Sequence, residues 1–229
     1  MPYQGDIWTT NRSAPHRLYA AYEFDTSTGN MARNAWGTTD GFIRGNPQWT
    51  EKDAIRSGFI TLNGQNDYVV LDRQLVDFRE ITVTAWINWA GGKPNQPVWF
   101  FGSSRENCMW LTPDDGIRHA RCIIRNEASL KTIFSNQPLQ PGHWTHVAVT
   151  LDGKLGCLYV NGILVSRAPA SLRPEEVLGP NINTSINHCY LGRSSDPALP
   201  FFKGSLDSIR FYSKAFTQKE ITADMLPTR

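Results

Sequence analysis

Trp144-Thr145-His146-Val147-Ala148-Val149-Thr150-Leu151-Asp152-Gly153-Lys154-Leu155-Gly156-Cys157-Leu158-Tyr159-Val160-Asn161-Gly162 is the stretch whose reading decides the fold. Two alternating runs are joined by Asp152-Gly153 and closed by Asn161-Gly162, dipeptides that tolerate the left-handed backbone of tight antiparallel turns. Side chains alternate across a strand, so Val147, Val149 and Leu151 share one face while His146, Ala148 and Thr150 share the other. Leu158 and Val160 repeat the pattern. The segment therefore spells a half-buried antiparallel sheet, and its apolar alternation marks it as scaffold.

Outward from this hairpin, short strand-like runs alternate with turn signals along most of the chain. They are Leu18–Phe24, Gly58–Leu62, Asp67–Leu71, Ile81–Trp89, Val98–Gly102, Cys108–Leu111, Arg118–Arg125, Leu130–Phe134, Ile163–Arg167, His188–Leu191 and Ser205–Tyr212. So many short strands predict a sandwich or a barrel. Only Arg173–Val177, opened by Pro174, and Thr217–Met225 read as helical, the second with a Thr217/Glu220 capping box. No repeat period suggests a propeller or a solenoid.

Composition narrows the function classes. Among 229 residues, 23 Lys and Arg stand against 21 acids, a formal charge of +2, so no global field attracts nucleic acid. No apolar run approaches the roughly 20 residues of a membrane span. Eight tryptophans suit an interaction protein or a sandwich core equally. Cys108, Cys122, Cys157 and Cys189 lack metal-site spacing and read as small buried hydrophobes within strands. Pro2 to Arg17 is polar, without the apolar run of a secretory signal. The chain reads as either cytoplasmic or, the preferred expectation, a module of a longer secreted protein, with residues 1–17 as an arm or linker and 18–229 as one domain.

Several motifs carry a family resemblance. Ala21-Tyr22-Glu23-Phe24-Asp25 with Gly29-Asn30 and Asn34-Ala35-Trp36-Gly37 opens the chain. Ile81-Thr82-Val83-Thr84-Ala85-Trp86-Ile87 follows, then Trp144-Thr145-His146-Val147 and Leu158-Tyr159-Val160-Asn161-Gly162. Tyr190-Leu191-Gly192-Arg193-Ser194, Phe202 through Tyr212, and Ala215-Phe216-Thr217 with Glu220-Ile221 close it. In order and spacing the set resembles the laminin-G-like, concanavalin A-like lectin/glucanase superfamily. The resemblance implies an all-β jelly-roll sandwich of two antiparallel sheets with a short C-terminal helix. It also implies a structural calcium near the termini, held by Asp25, Asn30 and Asp207 with help from Gly29 or Asn34. The alternative reading has Asp25 and Asp207 capping turns and meeting arginine or backbone donors.

Such sandwiches include enzymes, so catalysis has to be tested on the residues. A retaining glycosidase needs two carboxylates about 5 Å apart, hence acids at alternate positions of one strand face. No Glu-x-Asp-x-Glu run exists, and Glu23 with Asp25 is the nearest approach. The Gln-x-His and Tyr-x-x-Gly-x-Tyr strands shared by alginate lyases are missing, as is a Gly-x-Ser-x-Gly elbow.

Binding residues are sought around Thr112-Pro113-Asp114-Asp115-Gly116-Ile117. A turn over Pro113–Gly116 sets Trp110 opposite His119, Cys108 opposite Arg121 and Met109 opposite Ala120. One face then carries Met109, Leu111, Ala120, Cys122 and Ile124 as core, with Cys108 and Cys122 on opposite sides. The other face carries Trp110, His119, Arg121 and Arg125, where the ring would stack on a pyranose and the guanidiniums would bond hydroxyls or an acid group. Solvated arginines covering apolar neighbours are the plain alternative. Trp86, Trp144 and His146 read as sheet-packing residues. The function expected is a non-catalytic module binding a polysaccharide or oligosaccharide, linked to a catalytic domain, with no nucleic acid or membrane partner. A lyase or hydrolase centred on His119 and Arg121, and an adhesion module binding protein, are the rivals.

Overall fold

The computed structural model describes residues 18–27, 29–177 and 188–226; the arm read over 1–17 lies outside them. Sixteen strands run in chain order: β1 (Leu18–Tyr22), β2 (Met31–Ala32), β3 (Gly41–Arg44), β4 (Gln48–Thr50), β5 (Phe59–Asn63), β6 (Tyr68–Val70), β7 (Ile81–Trp89) and β8 (Trp99–Gly102). They continue as β9 (Cys108–Thr112), β10 (Arg121–Asn126), β11 (Ser129–Phe134), β12 (Trp144–Leu151), β13 (Leu155–Val160), β14 (Ile163–Pro169), β15 (His188–Leu191) and β16 (Lys203–Tyr212). Helix α1 (Gln218–Met225) follows, and Arg173–Val177 contributes only a 3-10 turn at Pro174–Val177.

Two antiparallel eight-stranded sheets face each other. The back sheet has the order β14-β13-β12-β7-β16-β5-β4, with β1 also paired to β16, and the front sheet has the order β11-β10-β9-β8-β15-β6-β3-β2. The Trp144–Gly162 hairpin forms as read: Val147 lies opposite Val160 and Val149 opposite Leu158. Asn161 (φ 49°) and Gly162 (φ 76°) then turn the chain into β14, with Val160 opposite Ile163. A β-branched residue at either position would strain that turn.

Between the sheets lie Ile81, Val83, Ala85 and Ile87 of β7, Val147, Val149 and Leu151 of β12, and Trp99, Phe101, Met109 and Leu111 of β8 and β9. Burial of each Val, Leu, Ile, Met or Phe side chain among them contributes about 1.5–3 kcal/mol. The sheets meet through Phe101 and Phe211, whose rings pack edge to face at 5.5 Å. In β16 strict alternation breaks: the register shifts between Asp207 and Arg210 around Ser208 (φ 48°), so Leu206, Ile209 and Phe211 all join the core. The bulge sends Asp207 and Arg210 together to the outer side.

Helix α1 covers the outer face of the back sheet. Ile221 joins Ala148, Tyr159, Tyr212 and Phe216 in a separate apolar cluster. Its N-terminus is closed by the capping box expected from Thr217 and Glu220, with the Thr217 N–H donating to Glu220 Oε2 at 2.6 Å.

Candidate functional site in the front sheet

The front sheet's outer face is organised by a single cross-strand row. Thr132, Ile123, Trp110, Phe100, Tyr190, Val70, Phe42 and Met31 follow one another across the eight strands, each opposite the next. Phe100, Cys108 and Trp110 form an apolar floor packed by Ile123, Tyr190 and Leu199. Above it opens a depression of about 250 Å³ whose walls include Asn95, Arg105, Arg121, Arg125 and Asp196.

The pairing that builds this wall differs from the sequence expectation. The β9–β10 connection is not a four-residue turn but runs from Pro113 to Ala120, and Trp110 lies opposite Ile123, Leu111 opposite Cys122 and Cys108 opposite Arg125. The cause is Asp115, whose Oδ1 accepts from the N–H groups of Ile117 (2.9 Å) and His119 (3.0 Å) and coils the loop around itself. Arg118 (φ 81°) takes the left-handed conformation that this coil requires. The slip is by an even number of residues, so every β10 side chain keeps its expected face. Arg121 and Arg125 do share the outer side with Trp110, while Cys122 and Ile124 enter the core.

His119 is the exception. It leaves the strand for the loop, where Nδ1 lies 3.1 Å from Asp115 Oδ2 and the ring rests against Phe134 at 5.1 Å. It is not among the residues lining the depression. Trp110 also departs from the expected role, since only 7% of it is exposed and its ring cannot stack on a sugar. It forms the floor instead, with the Arg121 guanidinium over it at 5.8 Å, an attraction of about 0.5–2 kcal/mol.

Each arginine is tethered at one end. Arg121 Nη2 donates to Asn95 Oδ1 at 2.7 Å, and its Nη1 lies 3.9 Å from Asp115 Oδ2. Arg125 Nη2 donates to Glu106. The Nε–H groups of both are buried and have no partner. Leaving such a donor unmet costs about 1–3 kcal/mol, so the two are bonding capacity that the fold itself does not use. Asn95 stands at φ 60°, fixed by its N–H bond to the Asp114 carbonyl at 2.7 Å. Burial pushes the Asp115 carboxyl up, but backbone donors, His119 and Arg121 outweigh this and hold it below its usual value.

Sequence reading missed Asn95, Arg105, Glu106 and Asp196. They come from the loops before β8, before β9 and after β15, and nothing local distinguishes them from ordinary turn residues.

The calcium expectation meets a different arrangement. As topology implied, β1 pairs with β16, bringing Asp25 and Asp207 to one corner. There the cation is an arginine: Arg56 Nε donates to Asp207, and Arg56 Nη2 donates to Ser208 Oγ at 2.7 Å. Asp25 accepts from Ser57 Oγ at 2.6 Å, and Asn30 contributes its carbonyl to the Ile43 N–H at 2.8 Å. Asn34 Oδ1 is taken up by the N–H groups of Ala21, Trp36 and Gly37. Burial pushes Asp207 up to about 6 despite Arg56. Asp207 is thus engaged by Arg56 and Asp25 by Ser57, and no group of three His, Cys, Asp or Glu side chains that could hold a metal ion occurs among the described residues.

A larger groove of about 640 Å³ lies at the end of the back sheet, between residues 135–145 and Val160 to Val165. Its histidine, His143, is already bonded to the Pro141 carbonyl at 3.0 Å. No side-chain donor or acceptor among its lining residues is buried without a partner, so the smaller depression is the better-prepared site.

Two packed antiparallel sheets with a short C-terminal helix define a jelly-roll sandwich. Residues 63–222 match the laminin G family described as the concanavalin A-like lectin/glucanases superfamily. The chain belongs to that family. Among solved structures it is similar to domain 4 of an extracellular GH43 arabinanase from Geobacillus stearothermophilus, in complex with arabinotriose. The TM-score is 0.74 at 20% identity, over 92% of this chain and 99% of that one. Trypanosoma rangeli sialidase in complex with sialic acid is similar with TM-score 0.65 at 16% identity, covering 93% of this chain and 34% of that one. At these identities the likeness is one of fold. Pappalysin-1 of Mus musculus is 30% identical over 161 residues, 63% of this chain, and that of Homo sapiens 24% identical over 194 residues, 77% of it. The chain spans only 9% and 11% of those two relatives. Among the described residues no helix is long and apolar enough to cross a membrane.

Proposed function

We propose that the chain is a non-catalytic carbohydrate-binding module of a larger secreted protein, holding oligosaccharide in the front-sheet depression. The observation that carries this reading is the pair of buried, unpartnered Nε–H donors of Arg121 and Arg125 in one wall. On binding, the partly exposed Arg121 and Arg125 side chains turn so that a sugar hydroxyl or ring oxygen supplies the acceptor each lacks, and Leu130 and Leu199 offer apolar contact to its C–H faces. The similarity to an arabinanase domain solved with arabinotriose supports a sugar ligand, and the extracellular source of that enzyme supports secretion. Attachment to a catalytic domain would raise the enzyme's effective concentration at its polymer.

The acids near the depression support binding without catalysis. Glu106 is tied to Arg125, Asp115 to His119 and Arg121, and Asp196 to Arg105 at 3.6 Å. A general acid on a sugar needs the reverse, a carboxyl isolated in apolar surroundings. Affinity electrophoresis across a panel of polysaccharides, followed by assays for reducing ends and unsaturated products, tests the proposal. Retardation by at least one glycan, lost in Arg121→Ala and without product, is expected. Silence on every glycan, or product release lost in the same variant, would overturn it.

A further inference from the structure

The charges around the depression point to the class of sugar, an inference that rests on the reading of this depression as a glycan site. Three guanidinium groups, Arg105, Arg121 and Arg125, line the wall. In the fold each is set against a carboxylate: Arg105 against Asp196 at 3.6 Å, Arg121 against Asp115 at 3.9 Å, and Arg125 against Glu106. Two of these acids are locked. The Asp115 side chain is 2% exposed and engaged by three donors of its own loop, and Asp196 accepts from the Ala198 N–H at 2.9 Å. Their charges stay beside the arginines whatever enters.

We infer that the depression selects neutral glycans over uronic or sulfated ones. What the arginines leave unmet is directional hydrogen-bonding capacity, two Nε–H donors, rather than net positive charge. A hydroxyl accepts from such a donor and gives its own proton onward to a carboxylate, so it satisfies both kinds of neighbour at once. A carboxylate or sulfate accepts only, and it would bring a fourth negative charge against Asp115, Asp196 and Glu106 in a partly desolvated wall. Like charges so placed repel strongly, and opposed charges already paired have little attraction left to give.

The whole chain is titrated calorimetrically with debranched arabinan, galactan and mixed-linkage glucan as neutral probes, and with polygalacturonate, alginate and heparin as acidic ones. At least one neutral probe is expected to bind about tenfold or more tightly than any acidic one. Its affinity should change less than about twofold between roughly 50 and 500 mM NaCl, because no net charge is exchanged. Glu106→Gln combined with Asp196→Asn uncovers Arg125 and Arg105. This variant should gain about tenfold in affinity for polygalacturonate or heparin and become salt-sensitive, while its neutral ligand weakens. Acidic probes binding wild type more tightly than neutral ones, or salt-sensitive wild-type binding, would overturn the inference and leave the glycan site standing. No binding by any probe would overturn both.

Discussion

Both outer faces of the sandwich carry arginines among acids, but they use them differently. On the back sheet, Arg210 spends all three nitrogens: Nε and Nη2 on Glu23 at 2.8 and 3.1 Å, and Nη1 on the Asp224 carbonyl and carboxylate at 3.0 and 3.1 Å. Tyr212 adds its hydroxyl to Asp224, and α1 seals the cluster. On the front sheet, Arg121 and Arg125 each leave Nε unmet, and no described helix lines the depression around them. The back-sheet guanidinium is a rivet between strand and helix. The front-sheet pair keeps bonding capacity that the fold itself does not use.

The comparison breaks most sharply at the rivet. Arg210→Ala strands Glu23 and the buried Asp224 and should cost about 3–5 kcal/mol, read from the midpoint of urea unfolding. The same change at Arg121 or Arg125 removes a partly exposed group and should cost about 1 kcal/mol or less. A front-face arginine as costly as Arg210 would end the distinction. For ligand the ranking inverts. Arg125→Lys keeps the charge but removes the Nε–H, so binding of the retained glycan should fall about tenfold with the melting temperature little changed, by calorimetry and thermal scanning.

Acid sharpens the same contrast. Burial alone would raise the Asp224 carboxyl, yet His146, Arg210 and Tyr212 bring it from 3.8 down to about 2. A depressed acid stabilises the fold in full above its ordinary value, and that contribution is lost as pH falls from about 4 through about 2. Asp224→Asn should flatten the stability slope in this window, measured by urea titration at stepped pH. The smallest effect is expected at the helix start, where Thr217→Ala should cost about 1 kcal/mol by loss of the cap and leave glycan binding unchanged. A chelator should shift the melting temperature of neither this variant nor the wild type, since Arg56 occupies the corner by Asp207.

Sequence legibility followed period and length. Ile81–Trp89, Trp144–Leu151 and His188–Leu191 appear with the boundaries read from alternation, because their faces differ in polarity along the whole strand. Strands β2, β3 and β4 went unread: they are two to four residues long and lie among the turn residues Gly29-Asn30, Gly37 to Asp40 and Gly45-Asn46-Pro47. The bulge at Ser208 left a trace that went unread: Leu206 and Ile209 are three residues apart, so strict alternation would put them on opposite faces. At the candidate site, the face of Arg121 and Arg125 was legible because parity survives an even slip. The loss of His119 to the loop was not, because it depends on Asp115 capturing two backbone donors ahead of it. Trp110 shows the limit of pattern: alternation assigns a face, while the cover supplied by Leu199, far along the chain, decides exposure.

The four free cysteines give the molecule its own clock. Burial pushes the Cys108 thiol up to about 12 and raises Cys122 and Cys189 as well, so none of the three reacts while its sheet is closed. They are distributed along the front sheet, Cys189 on central β15, Cys108 on β9 and Cys122 on β10, while Cys157 alone reports from the back. Pulsed alkylation of the native protein would therefore time the breathing of individual strands. A bound glycan that bridges the Arg121 and Arg125 wall should slow Cys108 and Cys122 while leaving Cys157 at its own pace.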